Sequence, residues 1–289
     1  MDRFCGVMSM ETLAFSKMHG AGNDFVVVAE EAVEAFSLPD LARRLCQRRF
    51  AVGADGLLVV GRGRRHPVRM RMFNPDGTED MCGNGLRCVA KWAVLRGLAT
   101  GDRFVVETID GEKGVELLEE GLVRVELGEP RFEPEQVPVL AEKAPVLDLP
   151  VSLPHGTVHV TALFTGSTHG VVFVPALPDE ERFRRDSPAI ENHPLFPQRT
   201  SVLWTVVESP SRLRMRIWER GAGETLACGT GACAAAVAAQ LHGLAGEEVE
   251  VHSAGGILRV QWKPGSPLFL TGSAELVYEG YYLLDEVKA

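Results

Sequence analysis

The chain has 289 residues, of which 45% are hydrophobic, and its formal net charge is −9. This length suffices for one large domain or two ordinary ones, and the acidic balance without a long basic run argues against nucleic-acid binding. No apolar stretch approaches the roughly 20 residues of a membrane span, and residues 1–11 lack the apolar core of a secretory signal. Six cysteines in so long a chain do not indicate a disulfide framework, so we expect a reduced, cytoplasmic setting. Met1, Met8 and Met10 are alternative starts.

The first half of the chain predicts strands at 13–18 and 25–30, a helix at 39–50, and strands at 56–61 and 68–73. A tight turn at 74–77 follows, since proline and glycine suit such corners. Cys82 then precedes an apolar run that predicts a helix. Strands at 103–109, 114–118 and 122–127 are separated by glycine-containing turn signals. The proline-rich stretch 129–154 has little periodicity and predicts a crossing between domains.

The second half repeats this order. It predicts a strand at 170–174, a helix at 179–192 broken at Pro188, strands at 201–208 and 213–219, and a helix after Cys228. Strands at 248–252, 257–262, 267–271 and 274–278 follow. The two cysteines are 146 residues apart in matching surroundings, which indicates an internal duplication. We therefore predict an α+β fold of two pseudo-symmetric, β-rich, barrel-like domains, each wrapping one central helix.

Cys82 and Cys228 each stand directly before Gly-x-Gly and an apolar run. The glycines keep side chains off a short turn, so each thiol is predicted at a helix N-terminus. There the unpaired backbone N–H groups and the helix dipole favour an anion and lower the pKa of a thiol. Two such sites predict two thiols that face one anionic ligand in a cleft between the domains.

Two thiols on opposite sides of one ligand suit inversion of an amino-acid α-carbon. Inversion needs a base on one face of the carbon and an acid on the other, and a thiolate and a thiol meet this need near neutral pH. Negative charge grows on the substrate carboxylate as the proton leaves. The backbone N–H groups of Gly83, Asn84, Gly229 and Thr230 are candidates to bind it. No lysine stands in a context typical of pyridoxal phosphate, so we expect no cofactor.

Five sequence blocks carry a resemblance to a known family. They are Met18-His19-Gly20-Ala21-Gly22-Asn23-Asp24-Phe25, Asn74-Pro75-Asp76-Gly77, Cys82-Gly83-Asn84-Gly85-Leu86-Arg87-Cys88, Glu219-Arg220-Gly221-Ala222-Gly223-Glu224-Thr225 and Ala227-Cys228-Gly229-Thr230-Gly231. In this order they resemble the diaminopimelate epimerase family over nearly the whole chain. The resemblance implies a cofactor-independent two-cysteine mechanism, paired barrel-like domains and a homodimer. It also implies that LL-diaminopimelate is converted to meso-diaminopimelate, in lysine and cell-wall precursor synthesis.

The resemblance assigns roles to single residues. Cys82 and Cys228 take the acid and base roles, His169 matches the histidine that accompanies them, and Glu219 joins this catalytic set. The implied substrate contacts are Asn23, Asn74, Asn84, Glu219, Arg220 and Thr230. The last strand is expected to return to the first domain, as in that family. The predicted domains are therefore residues 1–129 plus 274–289, with Cys82, and residues 130–273, with Cys228.

Two positions depart from the family pattern. Gly166-Ser167-Thr168-His169 stands where the family usually has Gly-Asn-Pro-His, and Ser201 stands where it usually has asparagine. The family uses both asparagines at the far amino-acid end of its substrate, so Ser167 and Ser201 are candidate contacts there. An epimerase or racemase of another amino acid, such as ornithine, lysine or histidine, is therefore an open alternative.

Other classes of function are weighed against this one. A thiol-disulfide redox protein would use Cys82 and Cys228 as a couple, although neither block has the usual Cys-x-x-Cys. An anion-binding module would need only the two helix N-termini. A metal site is not expected, because the second cysteines of the blocks, Cys88 and Cys233, lie beyond zinc-knuckle spacing and are predicted to pack in the core. Cys5 and Cys46 are given no role.

Overall fold

The computed structural model describes residues 11–284, so Cys5 and the alternative starts lie outside the described residues. Within this range the helices are α1 (Leu38–Leu45), α2 (Gly83–Leu95), α3 (Glu180–Glu191) and α4 (Gly229–Leu241). The strands of the first half are β1 (Glu11–Gly20), β2 (Asn23–Ala29), β3 (Gly56–Gly61), β4 (Val68–Phe73), β5 (Glu79–Asp80), β6 (Arg103–Thr108), β7 (Gly111–Leu117) and β8 (Leu122–Gly128). Those that follow are β9 (Val146–Leu153), β10 (Gly156–Phe164), β11 (Thr168–Phe173), β12 (Ser201–Ser209), β13 (Arg212–Glu219), β14 (Gly223–Thr225), β15 (Glu248–Ser253), β16 (Gly256–Gln261), β17 (Leu268–Ser273) and β18 (Glu275–Leu284).

Strand pairing shows the duplication directly. In the first half, β1 is antiparallel to β2, β2 is parallel to β3, and β4 pairs antiparallel with β3 and parallel with β6. In the second half, β10, β11, β12, β13 and β15 repeat these directions in the same order. The predicted internal repeat is therefore confirmed at the level of backbone hydrogen bonds.

The chain passes between the two halves at two places, after β8 and after β17. β8 pairs antiparallel with β17 and so joins the halves into one sheet. Beyond β17 the chain continues as β18, which pairs with β1. Beyond β8 the chain bridges at Arg131 to Phe164, at the end of β10. The first half is thus closed by strand β18, which continues from the second half, and the second half is met by the bridge at Arg131, which continues from the first. The two β-rich, barrel-like units are confirmed. Their exact boundaries stay a prediction.

The central helix of the second half, α4, has small side chains, so a sheet can curl closely around it. α4 has the sequence GTGACAAAVAAQL, and its buried residues cover every face. A helix that is apolar all round is buried, and alanines allow the surrounding strands to approach closely. Side chains of α2 and α4 belong to one continuous apolar core. The two halves therefore share a core, which fixes the two helices relative to each other.

Outer helices cover the other face of each sheet. Phe25 and Val27 point into the shared core, while Val26 and Val28 point outward against α1. This alternation follows from the two-residue period of a strand. α3 packs in the same way on the second half. Strands β2 and β3 are buried on both faces, which is typical of parallel pairs. Within residues 11–284 no helix is both long and apolar enough to cross a bilayer.

Two predicted helix details are wrong. The first helix ends at Leu45 rather than 50, because the Gly53 N–H returns to the Leu45 carbonyl (2.9 Å) and closes the turn. The helix at 179–192 is not broken, since α3 runs through Pro188. A proline removes one helical hydrogen bond, and here the burial of Phe183 and Ile190 outweighs that loss.

The stretch 129–154 contains more structure than its prolines suggest. β9 lies within this stretch and forms an antiparallel hairpin with β10, which follows it, and neither strand was predicted. Pro150 lies in β9 opposite His159. Within the described residues β9 pairs only with β10, so it is an edge strand, where a missing N–H costs little.

Candidate active site

The N-termini of α2 and α4 meet at the centre of the molecule. Cys82 and Cys228 are the residues immediately before these helices, and their extended backbones are nearly alike, with φ/ψ of −134°/120° and −130°/115°. A methyl group placed on Gly229 would lie 3.2 Å from the amide oxygen of Asn84. The first turns of both helices therefore abut, as the sequence predicted.

Cys82 is half-buried among amides. Its thiol donates to Asn23 Oδ1 over 3.5 Å, and Asn84 Nδ2 donates to the same oxygen over 3.2 Å. On its other side Asn23 donates through Nδ2 to Asp55 Oδ2, 2.8 Å away. The Asn23 amide is thus held with its oxygen toward the thiol.

Cys228 is buried and has a carboxylate for a neighbour. Its sulfur accepts the Gly231 N–H at 3.4 Å and lies 3.5 Å from Thr230 Oγ1. Glu219, at the end of β13, lies close enough for its charge to act on this thiol. Thr225 donates to Glu219 Oε1 over 2.6 Å, and burial raises the pKa of this carboxyl group.

The pKa values of both thiols are raised. Burial raises the pKa of Cys82 to about 11, against the lowering effect of the Gly85 and Asn84 N–H groups. Burial and the charge of Glu219 raise the pKa of Cys228 well above its usual value. The predicted lowering at a helix N-terminus is therefore wrong, because loss of hydration outweighs the few N–H donors.

His169 occupies the place in the second half that Asn23 has in the first. The two residues are 146 positions apart, as are Asn84 and Thr230. His169 is buried, and its Nε2 lies 3.0 Å from Thr230 Oγ1. The side chains of His169, Thr230 and Cys228 therefore form a chain of contacts that leads to the sulfur.

His169 is expected to stay neutral over the whole physiological range. Burial, with a smaller contribution from the Arg220 charge, lowers its pKa to about 3. Because the imidazolium is disfavoured in the folded protein, this residue stabilises the fold above its unfolded pKa, and the contribution is lost as pH falls toward 3. NMR of ring-labelled histidine should show no titration of His169 between pH 5 and 8, with free histidine in the same buffer as the titrating reference. A His169 midpoint near 6.5 would contradict this prediction.

An open cavity of about 450 Å³ connects the two halves beside the cysteines. Its walls include Asn23, Asp55 and Asn74 from the first half and Glu219 and Thr225 from the second. Carboxylate, amide, hydroxyl and guanidinium groups line it together with apolar side chains such as Met72 and Leu226. The mixture of acidic, basic and neutral polar groups suits a small zwitterionic ligand.

Arg220 lies at the edge of the site. Its side chain is exposed, and Nη1 donates to the Gln198 carbonyl over 3.0 Å. Its own backbone N–H donates to Ser201 Oγ over 3.1 Å. The guanidinium is held close to the active-site residues and still open to solvent.

The two serines that depart from the family pattern lie in the Cys228 half. Ser201 is buried and faces His169 across the parallel strands β11 and β12. Ser167 is half-buried and follows Gly166, where an added methyl group would lie 3.0 Å from Thr230 Cγ2. Both serines therefore stand near the site.

Sequence reasoning missed a charged network behind Asn23. Lys17 pairs with Asp24 Oδ2 at 2.5 Å, and Arg48 Nη2 reaches Asp24 Oδ1 at 2.5 Å and Asp55 Oδ1 at 2.8 Å. Asp55 then accepts from Asn23. The available signal was the repeat itself, because Asp55 stands 146 residues before Ser201.

The remaining cysteines of the two blocks are core residues. Cys88 and Cys233 are fully buried in the shared apolar core, as predicted. Within residues 11–284 no group of three or more histidine, cysteine or acidic residues is arranged to hold a metal ion.

Comparison with known proteins agrees with this geometry. The family model for diaminopimelate epimerase matches residues 15–133 and 161–277. The chain is 46% identical to diaminopimelate epimerase of Pelotomaculum thermopropionicum over 275 residues, covering 93% of this chain and 98% of that one. It is 47% identical to the enzyme of Moorella thermoacetica over 279 residues, covering 94% and 99%.

A solved structure shows the same fold at low identity. The phenazine biosynthesis protein of the PhzF family from Bacillus anthracis superposes with a TM-score of 0.69 at 17% identity. The match covers 95% of this chain and 100% of that chain. With this fold, the family-model match and the close relatives in hand, the chain belongs to the diaminopimelate epimerase family and is an isomerase.

Proposed function

We propose that this enzyme interconverts LL- and meso-diaminopimelate by a two-base mechanism in which Cys82 and Cys228 act on opposite faces of the α-carbon. The reaction would serve lysine and cell-wall precursor synthesis. The observation that carries the mechanism is the junction of α2 and α4, each preceded by a cysteine and related by the internal repeat. The named relatives support the substrate.

The proton transfers balance without a further reactant. One cysteine, as thiolate, takes the α-hydrogen, and the Cα–H electron pair is left on the substrate. The other cysteine, as thiol, delivers its proton to the opposite face of the same carbon. The protein ends with the two protonation states exchanged, and proton exchange of the two sulfurs with solvent restores them before the next turnover in the same direction.

The substrate carboxylate is proposed to bind at the two helix N-termini. The first N–H groups of each helix have no acceptor within their own helix. The Gly83, Asn84, Gly229 and Thr230 groups are the proposed donors, and the helix dipoles reinforce them. As the α-proton leaves, charge develops on this carboxylate, so fixed donors stabilise the carbanion more than the ground state. In the proposed mechanism the backbone N–H groups of the chain therefore stabilise the carbanion, a role that a cofactor has in other enzymes.

The side chains around the thiols have distinct proposed tasks. Asn23 and Asn74 are proposed to bind the substrate from the first half, and Glu219 and Arg220 from the second. Glu219 and His169 are placed in the catalytic set because each is linked to Cys228, directly or through Thr230. We place the enzyme in the cytoplasm as a homodimer with neither nucleic-acid nor membrane partners, on the strength of the family resemblance and the acidic charge.

Chiral chromatography of diaminopimelate tests the proposal. Purified, reduced enzyme with no added pyridoxal phosphate should convert the LL isomer into the meso isomer until the two reach equilibrium. Ornithine, lysine and histidine tested in parallel address the alternative substrates. A thiol-disulfide redox protein would reduce a model disulfide and leave every isomer unchanged, and that result would overturn the proposal.

Activity is expected to rise with pH from 7 to 9. Because burial raises both thiol pKa values, only a small fraction of the base is thiolate at neutral pH. The value of kcat/KM for the LL isomer should therefore increase by about tenfold per pH unit, as expected for one deprotonation in the free enzyme. A pH titration of initial rates at low substrate measures this slope. A flat profile between pH 7 and 9 would contradict the raised pKa of the base.

A further inference from the structure

Arg87 is a fully buried arginine in the second turn of α2, one turn beyond the Cys82 site. Its Nε donates to the Ser273 carbonyl over 3.2 Å, and Nη2 donates to Asn84 Oδ1 over 2.9 Å. Nη1 has no hydrogen-bond partner among the described residues. Within residues 11–284 no carboxylate pairs with it either. Burying a guanidinium without a carboxylate partner costs folding free energy, which indicates that Arg87 has a role at this place in the fold.

Two glycines, Gly20 and Gly272, bring the backbone close to this guanidinium. A methyl group added to Gly20 would lie 3.0 Å from Arg87 Nη2, and one added to Gly272 would lie 3.2 Å from the guanidinium carbon. Gly20 ends β1, and Gly272 lies in β17, the strand that crosses between the halves. The arginine is therefore held in a fitted space and has little room to move.

The contact with Arg87 fixes which way the Asn84 amide points. Because the guanidinium only donates, the Asn84 oxygen must face Arg87, and its NH₂ group faces Asn23. The same Asn23 oxygen accepts from Cys82. Loss of Arg87 would leave the Asn84 amide free to flip, and the donor that faces Asn23 Oδ1 would then be replaced by an acceptor.

The position equivalent to Arg87 in the second half carries no charge. The residue 146 positions after Arg87 is Cys233, which is neutral and packs in the core. Cys228 has a carboxylate neighbour, Glu219, in place of a cation. The two cysteines are thus related by pseudo-symmetry in position and are opposite in electrostatic surroundings.

We propose that Arg87 is a positioning residue of the Cys82 half-site, which orients the Asn84 amide and supplies the buried positive charge that makes Cys82 easier to deprotonate than Cys228. The charged groups that act on Cys82 are Arg87 on its own helix, Glu219 from β13 and, through Asn23, Asp55 before β3. Of these only Arg87 favours the thiolate. The inference deepens the two-base function proposed above and rests on it for its catalytic meaning.

Alkylation of single cysteines tests the inference without any need for turnover. Wild type and Arg87→Met are treated with iodoacetamide at pH 8, and the rates at Cys82 and Cys228 are read by peptide mass spectrometry. Cys82 is expected to react faster than Cys228 in the wild type. Because a nearby cation typically shifts a pKa by about 1–3 units, and a more basic thiolate is also more nucleophilic, Arg87→Met should slow Cys82 by about threefold to thirtyfold and leave Cys228 unchanged.

A charged reagent separates electrostatics from accessibility. Iodoacetate is an anion, so the ratio of its rate to that of iodoacetamide at Cys82 should also fall in Arg87→Met. A change of accessibility alone would slow both reagents equally. Arg96→Met is the matched control, because it removes the same charge from an exposed position just beyond the other end of the same helix. It should change neither rate nor ratio.

Methionine is chosen because an apolar side chain of similar size in place of a buried ion is often neutral or stabilising. If Arg87→Met melts below the assay temperature, Arg87→Gln gives the same comparison and keeps a donor for Asn84. Unchanged Cys82 reactivity in a folded, neutral variant would overturn the inference, as would a wild-type Cys228 that reacts faster than Cys82. Absence of epimerase activity in the wild type would instead overturn the proposed function, and it would leave the alkylation result interpretable.

Discussion

Replacement of either Cys82 or Cys228 by serine is expected to lower kcat for epimerisation of LL-diaminopimelate by about 10²–10⁴-fold. Each variant loses the proton donor or acceptor on one face of the α-carbon, because a serine hydroxyl is far less acidic than a thiol. The remaining cysteine cannot reach the other face. Chiral chromatography of initial rates, with the folded state checked by circular dichroism, measures the loss.

Buried cysteines in the same helices provide the matched controls. Cys88→Ala and Cys233→Ala remove thiols that pack in the shared core, six and five residues beyond the catalytic pair. They should lose stability through small cavities and keep most of their activity. Near-normal turnover in Cys82→Ser or Cys228→Ser would refute the two-base mechanism.

Selectivity at the far end of the substrate is expected to change when Ser167 and Ser201 are replaced by asparagine. Ser201 Oγ already accepts the Arg220 N–H, so one lone pair and one hydroxyl hydrogen are left for a ligand. An asparagine offers two donors and an acceptor. Each hydrogen bond to a charged group is worth about 1.5–3 kcal/mol, so two such bonds correspond to roughly two to four decades of discrimination.

The measurement is kcat/KM for LL-diaminopimelate, lysine, ornithine and histidine in the wild type and in the double variant. The expected result is a wild type with relaxed selectivity and a double variant that prefers diaminopimelate more strongly. Each single variant shows which serine is responsible. A wild type that already strongly prefers diaminopimelate, with no gain in the double variant, would show that the serines carry no specificity.

Much of the architecture followed from one number, the 146-residue spacing of the two cysteines. It predicted the duplication, and the two Gly-x-Gly motifs predicted that α2 and α4 begin immediately after Cys82 and Cys228. Applied further, the same spacing relates Asn23 to His169 and Asn84 to Thr230, which the structure places beside the two thiols. The 146-residue spacing therefore predicts more of the site residues than the two cysteine motifs do by themselves.

Other features depend on tertiary structure and were out of reach. The thiol pKa values are set by burial, which a local motif does not report. The β9 strand forms despite Pro150 because it lies at a sheet edge. Arg87 stands in an apolar run, where a lone charge would normally be assigned to the exposed face of the helix. Its true position depends on the strand that crosses from the other half.

The most direct measurement of the central claim is deuterium incorporation at Cα when LL-diaminopimelate reacts in heavy water. With two bases, the proton removed from one face stays on the first cysteine, and the product receives a solvent-derived deuteron from the second. Early in the reaction the meso product should therefore carry one deuterium at the inverted centre, while recovered LL substrate carries none. Meso product that retains the substrate hydrogen, or deuterium that enters the LL substrate as fast as product forms, would contradict the two-cysteine account.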